Sequence, residues 1–312
     1  MELIRINLKN PVGLKDDVVA TIGQFDGLHL AHLKLIQKTK EIANEKGLKT
    51  AIFSFNPHPD FVLKKDLSNT YVTPLHQKIS LLEEMGFDYF VLIEFNEDVA
   101  KMSPVDFVNK ILIENKVKYA IVGFDFRFGN RGVGKAENIT ELSNNKIKTI
   151  IIDEIKYNNE KIGTSLIKKL LKNGFVSDVK TIMGRYYKIV GQVVYGNQIG
   201  QTIGFPTANL YIGPEFAEIL PGVYIVRVKV RGKFYLGIAN LGVNPSFNKV
   251  NQMVFETHIF DFDENIYGEL IEIELIRFIR KEVTFATVED FKIQIRKDVE
   301  FAKEYTKNMN LI

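Results

Sequence analysis

Two histidines three residues apart, His29 and His32, follow Gly23-Gln24-Phe25-Asp26-Gly27. At that spacing both imidazoles share one face of the first turn of a helix that starts near Leu28. A helix N-terminus offers unpaired N–H groups and the positive end of the dipole, so two imidazoles there suit phosphate oxygens. A His pair alone is more often a solvated surface feature. Order argues for chemistry here. The apolar run Val18–Ile22, a tight Gly turn, an Asp, the His pair and an apolar-periodic segment follow one another as a phosphate site requires.

Three further constellations carry chemistry. Asn56-Pro57-His58-Pro59 is a proline-stiffened loop that holds Asn56 and His58 near a strand end. In Gly123–Gly129, closed by Gly134, Phe124, Phe126 and Phe128 alternate with polar residues and share one face if extended. Such a loop suits a flat ring system by stacking, although any single Phe is more often core. Gly191–Leu210 is rich in Gly and polar residues and reads as a loop between strands. Gly200 and Gly204 let backbone approach phosphate, and Thr207 and Asn209 are oxygen donors suited to Mg²⁺.

The elements that must position these residues differ between the two halves. Strand-like runs at Val18–Ile22, Thr50–Phe55, Tyr89–Phe95, Tyr119–Val122 and Lys148–Ile152 alternate with helical segments Leu28–Lys46, Pro74–Met85, Pro104–Asn115 and Ala136–Asn144. Strict alternation predicts a parallel α/β sheet, Rossmann-like, with ligands beyond the strand C-termini. Near Gly174–Gly184 the pattern changes. Runs at Tyr187–Tyr195, Val223–Val230, Phe234–Leu241, Val254–Phe260 and Leu270–Phe278 predict a small antiparallel barrel. A closing helix, Val288–Tyr305, carries Val288, Phe291, Ile295, Val299 and Ala302 on one face.

Bulk properties exclude several classes. The 312 residues suit two domains, and 46% hydrophobic with 25% charged residues is ordinary for a soluble globular chain. Net charge is +3 with both signs interspersed, which argues against nucleic-acid or membrane partners. There are no cysteines, so thiolate catalysis, disulfides and Cys-based zinc sites are ruled out. Without a signal-peptide core or a membrane-length apolar stretch, the expectation is a cytoplasmic protein, monomeric or weakly homo-oligomeric.

Together the motifs resemble the bacterial bifunctional riboflavin kinase/FAD synthetase family. Gly23–His32, Phe55–Pro59, Gly123–Gly134 and Ile162–Lys168 match the motifs of its flavin-adenylylating domain. Gly204-Phe205-Pro206-Thr207-Ala208-Asn209 matches the riboflavin kinase signature without a mismatch, and Pro221–Tyr224, Gly242–Phe247, Glu256–His258, Tyr267-Gly268 and Arg280–Phe285 follow in family order. The resemblance implies an FMN adenylyltransferase domain over 1–180 and a riboflavin kinase domain over 184–312. ATP, riboflavin and FMN are the implied substrates and Mg²⁺ the implied metal. It assigns His29 and His32 to the ATP phosphates, with Gly23, Phe25, Asp26, Asn56 and His58 around the same site. Gly123, Asp125, Phe126, Phe128 and Gly129 would line its flavin side, and Ser165 and Lys168 would hold phosphate. In the second domain Glu256 would deprotonate the riboflavin 5′-hydroxyl. Thr207 and Asn209 would hold Mg²⁺, with Gly200, Gly204, Pro206 and Arg280 around ATP and riboflavin, Arg280 equally suited to capping the barrel.

Four positions depart from the pattern: Ala31 for Gly, Gly163 for a hydroxyl residue, Leu166 where Arg is common and Lys168 for Arg. They leave open a riboflavin kinase with a weakened adenylyltransferase half, and a non-catalytic flavin or nucleotide sensor stands as the alternative from another class. Ala31 adds a methyl where nucleotide approaches backbone. Ala31→Gly is therefore expected to raise FAD formation from supplied FMN and MgATP, followed by chromatography; equal or lower activity contradicts a steric role.

Overall fold

The computed structural model describes the chain except residues 10–12, 65, 67, 197–199, 201–203, 245–251 and 310–312. The expected Pro245-Ser246-Phe247 motif and part of the 191–210 loop lie outside the described residues. Contacts divide the chain into two compact units, Met1–Leu166 and Ile167–Ile312.

The first unit contains β1 (Glu2–Ile6), β2 (Val18–Ile22), β3 (Lys49–Asn56), β4 (Tyr89–Glu94) and β5 (Val117–Gly123). Then come β6 (Arg127–Phe128), β7 (Gly134–Lys135), β8 (Lys148–Ile152), β9 (Lys156–Tyr157) and β10 (Glu160–Lys161). Among the described residues, six of these strands form a parallel sheet in the order β1-β4-β3-β2-β5-β8. The pairs β6/β7 and β9/β10 are short antiparallel ribbons. Every residue of β2 is buried. Val18, Ala20 and Ile22 enter one core while Val19 enters the other, so the sheet is covered on both faces. β1 was not expected: only Ile4 and Ile6 of its five residues are buried, because it is an edge strand, and so short an alternation is a weak signal.

Two helices differ from expectation. The segment predicted from Leu28 begins as α1 (Leu30–Lys46), because Leu28 has φ +40° and His29 is extended. The predicted helix Pro104–Asn115 starts as a single turn and continues as a π-helix over Phe107–Ile113, which buries Phe107, Val108, Ile111 and Leu112.

Asp26, expected to touch ligand, is buried and structural. Its carboxylate accepts the backbone N–H groups of Val72 (3.1 Å) and Thr73 (2.8 Å), and its own carbonyl accepts Thr164 Oγ1 at 3.1 Å. It straps two distant segments to the turn after β2.

The second unit contains β11 (Tyr187–Val194), β12 (Ala208–Tyr211), β13 (Gly222–Val230), β14 (Lys233–Asn244), β15 (Gln252–Ile259) and β16 (Leu270–Arg280). Among the described residues they close into an antiparallel barrel in the ring order β11-β12-β15-β14-β13-β16. β12 corrects the reading of this stretch as loop: its polar residues mask a strand whose Leu210 is fully buried opposite Phe255. The helix Val176–Met183 packs on this barrel, with Ser177 Oγ donating to the Ile276 carbonyl. The terminal helix, Val288–Asn308, is capped by Thr287, whose side chain accepts the Asp290 N–H. Ile295, Val299 and Ala302 pack against the barrel as expected, whereas Val288 is 62% exposed. No helix among the described residues is long and apolar enough to cross a membrane.

Asp26→Asn replaces one acceptor oxygen with a donor that faces a backbone N–H. The first unit should lose about 2 kcal/mol of stability, read by urea unfolding of the full chain.

Candidate active sites

Reading along the sheet, chain order reverses between β2 and β5. The helices that follow these two strands leave in opposite directions, and a crevice opens beyond their C-termini. Gly23 and Gly123 are the residues at those ends, and both line a cavity of about 470 Å³ in the first unit.

The histidines meet this cavity differently from a simple helical pair. His29 is the N-cap of α1 (φ −76°, ψ 174°), and its Nδ1 accepts the His32 N–H at 3.4 Å. The two imidazoles stack at 3.7 Å between centroids, 17° apart. Phe25, expected as a binding residue, is fully buried and lies against His32 at 5.0 Å, so it positions the imidazole from beneath. The first turn of α1 holds no acidic residue, which leaves its positive dipole end available to an anion. Ala31 lines the same cavity.

His58 also reaches the lining, as N-cap of the turn Pro59–Val62 with its Nδ1 accepting the Asp60 N–H. Asn56 lies outside the lining, and its carbonyl accepts the Phe95 N–H at 3.0 Å.

The aromatic loop is not extended, so its three Phe side chains do not share one face. Phe126 N–H donates to the Gly123 carbonyl and closes a turn. Phe124, though exposed, and Phe126 both line the cavity. Phe128, expected at the ligand, belongs to the core, 5.1 Å from Phe107. Gly129 has φ +73°, and a Cβ there would sit 2.9 Å from Pro104, so this glycine serves loop packing rather than ligand approach. Asp125 is ion-paired with Lys161, whose ammonium also lies 5.1 Å from the centre of the Phe124 ring. Lys161 also lines the cavity. It was missed because a lone Lys on a two-residue ribbon carries no sequence signal. Gly163 and Thr164 complete this wall, and a Cβ on Gly163 would meet open space. Ser165 is exposed and Lys168 half-buried on the helix Thr164–Lys172.

The barrel holds the other group of residues. Asn209, Glu256 and Asn240 are direct neighbours across β12, β15 and β14. Glu256 lines a cavity of about 250 Å³ with Thr207, Asn240, His258, Arg280 and Glu282. Burial pushes the Glu256 carboxyl above the ordinary carboxylate range, and the negative charge of Glu282 adds to this. Glu282 is held by Asn240 Nδ2 at 3.1 Å. His258 Nδ1 donates to the Pro206 carbonyl at 2.9 Å, which ties the signature segment to β15. The Gly200 carbonyl accepts the Phe205 N–H at 2.8 Å, a Cβ on Gly200 would lie 2.3 Å from the Phe205 carbonyl, and Gly204 has φ +86°. Arg280 is anchored rather than free: Nη2 donates to Asp298 at 2.7 Å, Nε reaches both carboxylate oxygens at 3.1 Å, and Asp298 is 3% exposed.

Among the described residues no cluster of three His or acidic side chains is built to hold a metal. The Thr207 hydroxyl and the buried Asn209 amide beside Glu256 form a sparse set of hard oxygen donors. Such a set fits a Mg²⁺ whose remaining ligands are phosphate oxygens and water.

Comparison with known proteins separates the same two halves. The FAD synthetase family model matches residues 13–166, and the riboflavin kinase model matches residues 183–306. The chain is 36% identical over 294 residues to the bifunctional riboflavin kinase/FMN adenylyltransferase of Bacillus subtilis, covering 93% of each chain. It is 34% identical over 281 residues to the Listeria monocytogenes protein of the same name, covering 90% of each. A crystal structure from Streptococcus pneumoniae described as a macrolide-efflux protein superposes with a TM-score of 0.88 at 26% identity, covering 96% of this chain and 98% of that one. With both catalytic halves matched in order over nearly its whole length, the chain belongs to the bifunctional riboflavin kinase/FMN adenylyltransferase family.

Proposed function

We propose that this enzyme phosphorylates riboflavin to FMN in the barrel unit and adenylylates FMN to FAD in the sheet unit, using ATP in both steps. The carrying observation is that each matched half gathers motif residues around a cavity of its own: His29, His32, His58 and Phe126 in one, Thr207, Glu256 and Arg280 in the other. In the barrel, the Glu256 carboxylate takes the proton of the riboflavin 5′-hydroxyl as that oxygen attacks the γ-phosphorus of ATP, and ADP leaves. Its raised pKa makes it a better proton acceptor near neutral pH than an ordinary carboxylate. Thr207 and Asn209 would hold Mg²⁺, which when bound neutralises phosphate charge. The anchored Arg280 frames one wall.

In the sheet unit an FMN phosphate oxygen attacks the α-phosphorus of ATP and pyrophosphate leaves. No protein nucleophile is needed, so catalysis is positioning and charge stabilisation. The stacked His29 and His32 at the helix start, with Lys161 across the cavity, supply donors and positive charge. We place the enzyme in the cytoplasm, as a monomer or weak homo-oligomer with small-molecule partners, in keeping with its cysteine-free sequence.

The two halves should fail independently. His32→Ala should lower FAD formation from supplied FMN about a hundredfold, by analogy with loss of one transition-state donor, while FMN formation from riboflavin persists. Glu256→Gln should do the reverse, cutting FMN formation by about 10²- to 10⁴-fold.

The pH profile of FMN formation should fall on the acid side as Glu256 protonates, at a pH above the usual carboxylate range. Glu282→Gln removes the like charge, lowers that pKa and moves the acid limb to lower pH. An unmoved limb would exclude Glu256 as the group that titrates.

A further inference from the structure

Gln24, between Gly23 and Phe25 in the turn after β2, has a role that the motif pattern does not assign. Its side-chain Nε2 and Oε1 are both buried without a hydrogen-bond partner among the described residues. Buried carboxamides are normally satisfied, because each unpaired atom forfeits its hydration for nothing. Gln24 lines the cavity that also takes His29, His32 and Gly163.

Its backbone is firmly held. The Gln24 carbonyl accepts Lys78 Nζ at 2.6 Å and Ser54 Oγ at 3.1 Å. Lys78 is itself buried, with the Asp26 strap beside it in the same turn. Phe25 follows at φ +52°, and Gly27 at φ +81°. These restraints fix the direction in which the Gln24 side chain departs. The unpaired amide is therefore a placed group rather than a surface rotamer that solvent could satisfy.

We propose that the Gln24 carboxamide is a binding residue of the adenylyl-transfer site, reading a planar ring edge that carries one donor beside one acceptor. The inference rests on assigning that reaction to this cavity. Phosphate offers acceptors only and would leave Oε1 unpaired. A ring edge with an adjacent donor and acceptor satisfies both amide atoms in one plane. Both substrates carry such an edge: the aminopyrimidine edge of adenine (N1 and the 6-amino group), and the carbonyl and N3–H of the flavin pyrimidine ring. An apolar side chain of the same length would keep the shape and lose the readout.

The test is a cycle of one substitution against two ligand analogues, read as kcat/KM for FAD formation with FMN supplied. The substitution is Gln24→Met. The analogues are purine riboside triphosphate, which lacks the 6-amino group of ATP, and 3-methyl-FMN, which lacks the N3–H. With the unmodified enzyme, the analogue of the ligand that Gln24 reads should be about tenfold worse than its parent compound. In Gln24→Met that penalty should disappear, because the parent compound becomes as poor as its analogue. The ligand whose penalty vanishes identifies the ring.

Melting of Gln24→Met supplies a second readout, expected unchanged or raised, because an unpaired amide contributes nothing to the fold. Activity within twofold of the parent on both substrates would overturn the proposal. So would analogue penalties that persist unchanged in the variant, or a drop in melting temperature that marks the amide as a structural partner. If His32→Ala also leaves FAD formation intact, it is the assignment of the reaction to this cavity that fails.

Discussion

The parallel pairing of β2 with β5 is the constraint on which the first site depends. Val18–Thr21 lies beside Val117–Ile121 in the middle of a sheet covered on both faces, and Thr21 Oγ1 donates to the Ile121 carbonyl across the pair. Chain order reverses at this pair, so the connections after the two strands diverge and leave a crevice that no helix fills. Gly23 and Gly123 stand at its two lips. The His29–His32 stack, the aromatic turn and the wall at Gly163 and Thr164 reach a common cavity only because these strands end side by side. Asp26 and Lys78 secure one lip from below: the first ties down Val72 and Thr73, the second the Gln24 carbonyl. Burial pulls the Lys78 amine down to about 8 while Asp26 opposes the shift, so this strap is electrostatic as well as hydrogen-bonded.

Barrel closure plays the corresponding part in the second unit. An antiparallel register places residues from distant segments side by side without reference to their separation in sequence. Asn209, Glu256 and Asn240 become neighbours in this way, and Glu282 is drawn in by Asn240. Desolvation in the cavity raises the Glu256 carboxyl above the ordinary carboxylate range, and the negative charge of Glu282, drawn close in this way, adds to the shift. Arg280 and Asp298 lock the terminal helix to the end of β16, so the cavity wall beside Glu256 is held by a nearly buried ion pair.

Much of this was legible in the chain. The fully buried strand β2 appears at its observed bounds because both faces need apolar residues and the run is unbroken. Two strands, β1 and β12, were harder. β1 shows only two buried positions, and β12 hides behind a glycine-rich run whose turn signals outweigh four residues of pairing. Among site residues, motif membership located the cavities but did not sort roles. Phe25, Phe128 and Asp26 belong to the motifs yet serve the framework under the site. Gln24 and Lys161 carry no motif signal yet line the cavity.

The sequence by itself determined the architecture of both halves and the chemistry available to each, because hydrophobic period and glycine placement are local properties. It named the histidine pair and the oxygen donors Thr207 and Asn209, and through the family resemblance of its motif it named Glu256. Only the tertiary structure decided which of these face open space and which are spent on the backbone. That depends on burial and on partners many residues away, such as Thr164 on Asp26 or Asn240 beside Glu256. A side chain's hydrogen-bonding capacity is written in its type, but whether the fold has already used it is a matter of what folding brings within about 3 Å.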